Sequence, residues 1–418
     1  MKKIGIITYH FACNFGAQLQ TISTIGFLKR NGYEPIVIHW YPTDVGEAQK
    51  KRIPEKQYSC HNIFAEKNMP LTRCCKTENE LLQVIDENNL DAIILGSDAL
   101  FKYLPMNERI VFSARKLRFI DISRSDRCLE GNPFWGSFIP RLKKQIPVAV
   151  FSVSSQDAAY TKINKQEYNE LRILLERFSY ISVRDEWTRQ MVYFFLGDLN
   201  ISVTPDPVFS FNQNNYLPIL SRSDLLGRYK LPEKYVLLSF NMRYLQNIYI
   251  KKLEAILKSK GYTAIAFPMP EGLKDYGLSY KIGIPLSPLD WYYLIKYASG
   301  YIGERMHPIL VALHNAVPFF CFDHYGLTEY NIPIVSKLNI PFISKYDKNF
   351  IWATSKIYHI LSKADLLSNV VSYKNHKKLT PLEVVNRLLT FDLEKAVLFS
   401  IKYQKLYEKS MCDILRLF

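Results

Sequence analysis

KIGIITYHFACNFGAQLQTISTIGFLKRNGYEPIVIHWY (3–41) carries two hydrophobic periods in succession. KIGIITY (3–9) is a near-continuous apolar run, the pattern of a strand buried on both faces. Residues 16–31 follow with helical spacing and stop at Asn31-Gly32, a helix-ending pair. EPIVIHWY (34–41) is again a strand. Strand, helix, strand is the unit from which parallel α/β sheets are built. Lys2, Lys3 and the apolar run imitate a leader peptide, but Tyr9 and His10 interrupt the run and no cleavage site follows. A first strand is therefore expected.

The alternation continues outward from this stretch. ENELLQVIDENN (78–89) reads as helix and DAIILGSD (91–98) as a strand ending in a Gly-Ser-Asp turn. VAVFSVSS (148–155), EYNELRILLERF (167–178), YISVRDE (180–186) and ISVTPDPVF (201–209) finish one half. YVLLSFN (235–241), IYIKKLEAILKSKG (248–261), TAIAFPM (263–269), SPLDWYYLIKYA (287–298), GYIGE (300–304) and VPFFCFD (317–323) repeat the scheme. Ser287 and Pro288 suit a helix start, and Thr380 to Glu383 reads as a capping box. Residues 42–76 are expected to be a polar, irregular insertion, and 99–145 a basic, loop-rich one. These signals divide the chain into an α/β domain at 1–212, a second at 213–375 and a helical tail at 376–418.

Composition narrows the function. Among 418 residues, 48% are hydrophobic and 22% charged, which suits a globular chain. The longest apolar runs fall far short of the ~20 residues that span a bilayer. The net charge of +15 favours an anionic partner: phosphorylated substrate, anionic lipid or nucleic acid. No helix-turn-helix, RRM or zinc-finger pattern supports nucleic acid. Twenty-eight Tyr and 25 Phe suit a surface that handles sugars, although an AT-rich genome inflates the same residues. Seven cysteines without a C-x-x-C pair point to reduced thiols and the cytoplasm. Cys60-His61 and Cys74-Cys75 lack zinc-ligand spacing, so no metal is expected.

Ligands of open α/β sheets bind beyond the carboxyl ends of strands. The residues there are Asn14, Gly16 and Gln18 after the first strand, Asp98 after the third, and Arg184 after the strand at 180. Arg305, Met306 and His307 follow the strand at 300, and His324 follows the next. Neither G-x-G-x-x-G nor a P-loop is present, which removes most support for dinucleotide or nucleoside triphosphate binding. Arginine offers a planar fork for carboxylate or phosphate, and histidine moves protons near neutral pH.

ITYHFACNFGAQLQTISTIGFLKRNGYE (7–34), ILGSDALF (94–101), GNPFWGSF (131–138), YISVRDEWTRQMV (180–192), PDPVF (205–209) and SPLDWYYLIKYASGYIGERMHPILVALHNAVPFFCFD (287–323) together resemble the polysaccharide pyruvyl transferase family. Met306 stands where the family usually has leucine, a volume-conserving change. The resemblance implies a GT-B-like fold, with two Rossmann-like domains facing across a cleft and a C-terminal helix crossing back to the first. It also implies transfer of the pyruvyl group of phosphoenolpyruvate to a sugar, usually as a cyclic ketal. Arg184, Arg305 and Met306 then correspond to donor-binding positions and His307 to the general acid. Asp98 is the weaker catalytic candidate, as base or sugar ligand. Asn14, Gly16, Gln18, Trp135 and His324 are candidates for substrate contact. No cofactor beyond the donor substrate is implied. The implied acceptor is a sugar or lipid-linked oligosaccharide, met at the cytoplasmic face of an anionic membrane. Two alternatives stay open: a nucleotide-sugar glycosyltransferase, with Glu271 as its best ribose-binding acid, and a non-catalytic glycan- or lipid-binding member.

Overall fold

The computed structural model describes residues 1–113, 117–156, 158, 160–198, 200–241, 245–323, 355–373 and 375–418. The chain starts with strands β1 (Lys3–Ile7), β2 (Glu34–Val37) and β3 (Ala92–Asp98). Strands β4 (Ile110–Ser113) and β5 (Arg118–Asp121) then form a separate antiparallel hairpin. Strands β6 (Val148–Val153), β7 (Tyr180–Val183) and β8 (Ser202–Val203) complete a parallel sheet ordered β2-β1-β3-β6-β7-β8. Strands β9 (Tyr235–Ser239), β10 (Thr263–Ala266), β11 (Tyr280–Lys281), β12 (Gly300–Gly303), β13 (Phe319–Asp323) and β14 (Val370–Ser372) form the second, ordered β11-β10-β9-β12-β13-β14. Both orders are doubly wound and reverse direction once, between β1 and β3 and between β9 and β12. The expected α/β class with paired parallel sheets is the one observed.

Alternate residues of each strand enter different cores, which is why the strands read as continuous apolar runs. Ile4 and Ile6 face one cluster, and Ile7 and Ile93 the other. In the second sheet Tyr235 and Leu237 join the same cluster as Ile4, while Val236 and Leu238 face a third. One core therefore runs between the two sheets. Four helices fill it: α1 (Phe15–Arg30) from the first half, and Pro288–Lys296, Met306–His314 and Leu393–Leu415 from the second. Phe15 stacks on Trp291 at 5.1 Å across this boundary.

The stretch at 42–76 corrects the expectation of irregular chain. It holds helices α2 (Thr43–Arg52) and α3 (Glu55–Asn68). The α3 positions that face inward are Gln57, His61, Phe64 and Ala65. Their spacing is helical, but two of the four are polar, so no apolar stripe announces the helix. Gln57 both donates to and accepts from the backbone of Leu286 at 2.8 Å, tying α3 to the second half.

Further helices are α4 (Glu78–Glu87), α5 (Lys165–Glu176), α6 (Glu186–Leu196), α7 (Phe211–Asn214), α8 (Arg222–Tyr229), α9 (Asn247–Ser259), α10 (Pro288–Lys296), α11 (Met306–His314) and α12 (Lys356–Lys363). Ser287 caps α10 through the backbone N–H of Asp290. The tail forms α13 (Pro381–Leu389), opened by the Thr380/Glu383 capping box, and α14 (Leu393–Leu415). Helix α14 returns to the first half. Tyr407 packs edge-on against Phe27 of α1 and Phe151 of β6, and Arg30 pairs with Glu408. No helix among the described residues is long and apolar enough to cross a membrane.

Candidate functional site

The two reversal points face each other, and a cavity of about 470 Å³ opens between them. Its wall is built from strand carboxyl ends: Tyr9 and Asn14 beyond β1, Asp98 and Lys102 at β3, Arg184 beyond β7, and Glu304 to His307 beyond β12. Seven lysines and arginines line it against four carboxylates, so the cavity suits an anion.

Its floor is a buried polar network. Arg184 donates from Nη1 to Asp206 Oδ2 at 2.7 Å and from Nη2 to Asp98 Oδ1 at 3.5 Å. Gln20 Nε2 donates to Asp206 Oδ2 at 2.5 Å and lies 3.2 Å from His307 Nε2. With the amide donating, His307 accepts at Nε2 and its ring proton sits on Nδ1. Burial lowers the His307 pKa, and Asp206 and Asp98 only partly oppose this. Burial would raise the Asp98 carboxyl, but Arg184, His307, Lys356 and Lys102 together hold it down to about 2. So acidic a carboxyl is a poor proton acceptor, and its charge fits it for electrostatic or hydrogen-bonding work instead. Asp98 also holds a positive φ of 98°, an unusual backbone setting for a residue with a side chain.

Position by position, the predicted residues separate. Asn14, Asp98, Arg184, Arg305, Met306 and His307 all line the cavity. Arg184 and Arg305 differ sharply, with side chains 2% and 49% exposed. Arg184 is already neutralised by two carboxylates, whereas Arg305 bonds to Glu271 at 3.2 Å and otherwise stands at the cavity surface among the described residues. Asn14 caps α1 by accepting from the backbone N–H groups of Gly16 and Ala17.

Gly16 serves another purpose than substrate contact. A Cβ there would lie 2.0 Å from His307 Cγ, so the missing side chain is the space the imidazole occupies. Gln18 is buried and donates to the carbonyls of His10 and His61, tying α1 to α3 away from the cavity. Trp135 is fully buried, stacks on Phe101 at 4.5 Å and donates its indole N–H to the Lys102 carbonyl. It is a core residue and offers no face to a sugar, because the loop carrying it folds inward under the first sheet's second core. His324 lies outside the described residues.

The sequence reading passed over Gln20, Asp206 and Lys356. Asp206 sits in the PDPVF segment, where the aspartate before proline was the available signal. Gln20 occupies an interior turn of an apolar helix, where a polar residue marks an internal partner. Lys356 opens α12 and lines the cavity. Burial and the nearby Arg184 push its ammonium down to about 7. No sequence feature distinguished it from the other lysines. In the first half, Tyr9 donates to Asp126 at 2.8 Å, and Lys102 and Arg124 each approach that carboxylate at 3.6 Å. Among the described residues, no cluster of His, Cys, Asp and Glu could hold a metal.

The fold has solved counterparts. The UDP-GlcNAc 2-epimerase of Methanocaldococcus jannaschii superposes with a TM-score of 0.51 at 12% identity, covering 100% of each chain. A spinosyn forosaminyltransferase matches with a TM-score of 0.47 at 10% identity, over 100% of this chain and 99% of its own. At these identities the likeness concerns the fold alone, the GT-B-like arrangement of two facing sheets. No curated protein matches the chain. A family model does, that of polysaccharide pyruvyl transferases, over residues 14–325. That span runs from the Asn14 cap to just beyond β13 and holds most of the cavity wall, and on it the chain belongs to the polysaccharide pyruvyl transferase family.

Proposed function

We propose that the protein moves the pyruvyl group of phosphoenolpyruvate onto a hexose of a glycan precursor, closes a cyclic ketal and releases phosphate. The observation that carries this is one cationic cavity holding a half-exposed arginine, a lysine with a depressed pKa and a buried histidine. Arg305 and Lys356 are suited to the carboxylate and phosphate of the donor, with the α11 N-terminus adding its dipole. Arg184 supports the site indirectly, by fixing Asp98 and Asp206.

The reaction needs one proton delivered to C3 while a sugar hydroxyl oxygen bonds to C2. The second hydroxyl then displaces phosphate. Two hydroxyl protons are released, one replacing the proton given to C3 and one leaving with phosphate. His307 is the proton donor in this scheme. Its depressed pKa leaves it neutral in the free site, and a multiply charged donor beside it favours the imidazolium. Lys356 is a second group able to exchange a proton near neutrality. Asp98 is assigned to the acceptor hydroxyls as a hydrogen-bond acceptor.

The net charge of +15 supports work at an anionic membrane surface, where lipid-linked glycan precursors are met. The test is incubation with phosphoenolpyruvate and a panel of aryl- or lipid-linked hexosides. Phosphate release with a quaternary ketal carbon in the product NMR spectrum is expected. A linear enol ether or ester, or phosphate release without acceptor modification, would refute the chemistry.

A further inference from the structure

The proposed donor accounts for only part of the cavity's positive charge. Among the described residues, the arginines and Lys102 fall into groups that share no ion pair. Arg52 and Arg305 meet on Glu271, at 3.5 and 3.2 Å. Arg184 is held by Asp98 and Asp206. Lys102, Arg124 and Arg127 form a third group on the first half, and there Asp126 is the one carboxylate in ion-pair range.

This third group is under-neutralised. Asp126 is buried and accepts from Tyr9, while Lys102 and Arg124 stand 3.6 Å away, too far for a hydrogen bond. The Lys102 side chain is only 17% exposed, and its ammonium lies 4.7 Å from the centre of the Tyr9 ring. Burial lowers its pKa. Asp126 and Asp98 oppose the shift, and Arg127 and Arg124 add to it. The Arg127 guanidinium bonds to no described residue, and its Nε is buried without a partner. Three cations thus face one carboxylate in a half-buried place, an arrangement that an anionic ligand would stabilise.

The group is also held in place. Ser125–Arg127 form a single helical turn, closed by the Arg127 N–H donating to the Arg124 carbonyl at 2.8 Å. The Ser125 N–H donates to Asp44 of α2 at 2.8 Å, which pins the turn. Two guanidinium groups on a fixed turn lose little freedom when they bind.

Position indicates the ligand. Lys102 follows Asp98 by four residues, and its charge helps to hold the Asp98 carboxyl down. Asp98 is assigned above to the acceptor hydroxyls, and the donor's carboxylate and phosphate to Arg305 and Lys356. An anion at the third group therefore belongs to the acceptor. Two uncompensated charges and two arginine forks suit a phosphoryl group better than the single charge of a sugar carboxylate.

We infer that Lys102, Arg124 and Arg127 form a second anion subsite, which takes a phosphoryl group borne by the acceptor sugar. In an activated glycan precursor that group is on the anomeric oxygen. The inference rests on the proposed reaction for the identity of the acceptor and not for the anion site itself.

The test compares each hexose of the acceptor panel as its aryl glycoside and as its 1-phosphate, with the full chain. Wild type should prefer the 1-phosphate by roughly tenfold to hundredfold in kcat/KM, as charge-assisted contacts give. The Arg124→Gln/Arg127→Gln double variant should lose that preference. Arg127→Gln alone repeats the comparison if the double variant does not fold, since its side chain bonds to no described residue. Hexoses linked to a nucleoside diphosphate or a prenyl diphosphate are run alongside, and a preference for either supports the subsite and identifies its carrier. Equal kcat/KM for the aryl and every phosphorylated form in wild type would overturn the inference, as would a preference that the variants keep. Binding is read separately, by calorimetry with the hexose 1-phosphates. Affinity lost in Arg305→Ala but kept in the double variant would place the phosphate with the donor group and overturn the inference too. If no hexose gains pyruvate in any form, the proposed reaction fails, while 1-phosphate binding that depends on Arg124 and Arg127 leaves the subsite standing.

Discussion

Gly16→Ala tests whether His307 works where the fold places it. The new methyl would lie 2.0, 2.3 and 2.4 Å from Cγ, Nδ1 and Cδ2 of His307, against 3.4 Å for ordinary contact. The ring would have to retreat by about 1.4 Å, since the helix backbone carrying the methyl is fixed by the Asn14 cap. That breaks the 3.2 Å approach of Gln20 to Nε2 and moves the proton-transferring atom out of register. A misplacement of about 1 Å costs ~10²-fold in rate, so turnover should fall by roughly two orders of magnitude, about 2.7 kcal/mol in the barrier. Alanine gains up to about 1 kcal/mol of helix propensity and overpacking costs about 1–3 kcal/mol, so stability should fall by at most ~3 kcal/mol, which the urea midpoint reads separately from turnover. The assay is phosphate release under saturating donor and acceptor, paired with a urea midpoint. The same substitution in a His307→Gln background should add little, because both changes act through one imidazole. Turnover within about threefold of wild type would refute the reasoning, as would losses that multiply in the double variant.

Arg305→Ala should weaken phosphoenolpyruvate binding by about 1.5–3 kcal/mol in calorimetry with an unchanged melting midpoint, because that guanidinium is half exposed. Arg184→Ala should instead destabilise the fold by roughly 3–5 kcal/mol in urea, because it strands Asp206 and Asp98 without their cation. Lys356→Met should remove a pH dependence of stability. Between pH 7, near which the folded ammonium titrates, and about 10.4, where a free lysine does, the unfolded chain binds more protons, so wild-type stability should rise across that window and the variant's should not. Trp135→Ala should cost about 3–5 kcal/mol of stability and leave the acceptor KM unchanged in whatever fraction stays folded, because the indole is core.

Much of this protein was written locally. The runs at 3–9, 91–98, 148–155, 235–241 and 300–304 are buried on both faces, so their apolar continuity announced parallel strands before any contact was known. Caps at Ser287 and Thr380 are side chain-to-backbone bonds within one turn, and they too were legible. Asn14, Asp98, Arg184, Arg305 and His307 were found because strand ends are where such sheets bind ligands. Their roles were decided only by the folded chain. Two arginines identical in sequence terms became a buried counter-ion to two carboxylates and a half-exposed member of the cavity wall, because burial and carboxylate neighbours are long-range facts. Gly16 looked like a substrate contact until a helix from the other half laid a histidine against it. Trp135 looked like a substrate contact until its loop folded inward and stacked it on Phe101. Lys356 carried no signal at all, since a lysine's pKa is set by what surrounds it, and those groups come from segments more than 150 residues away in the chain.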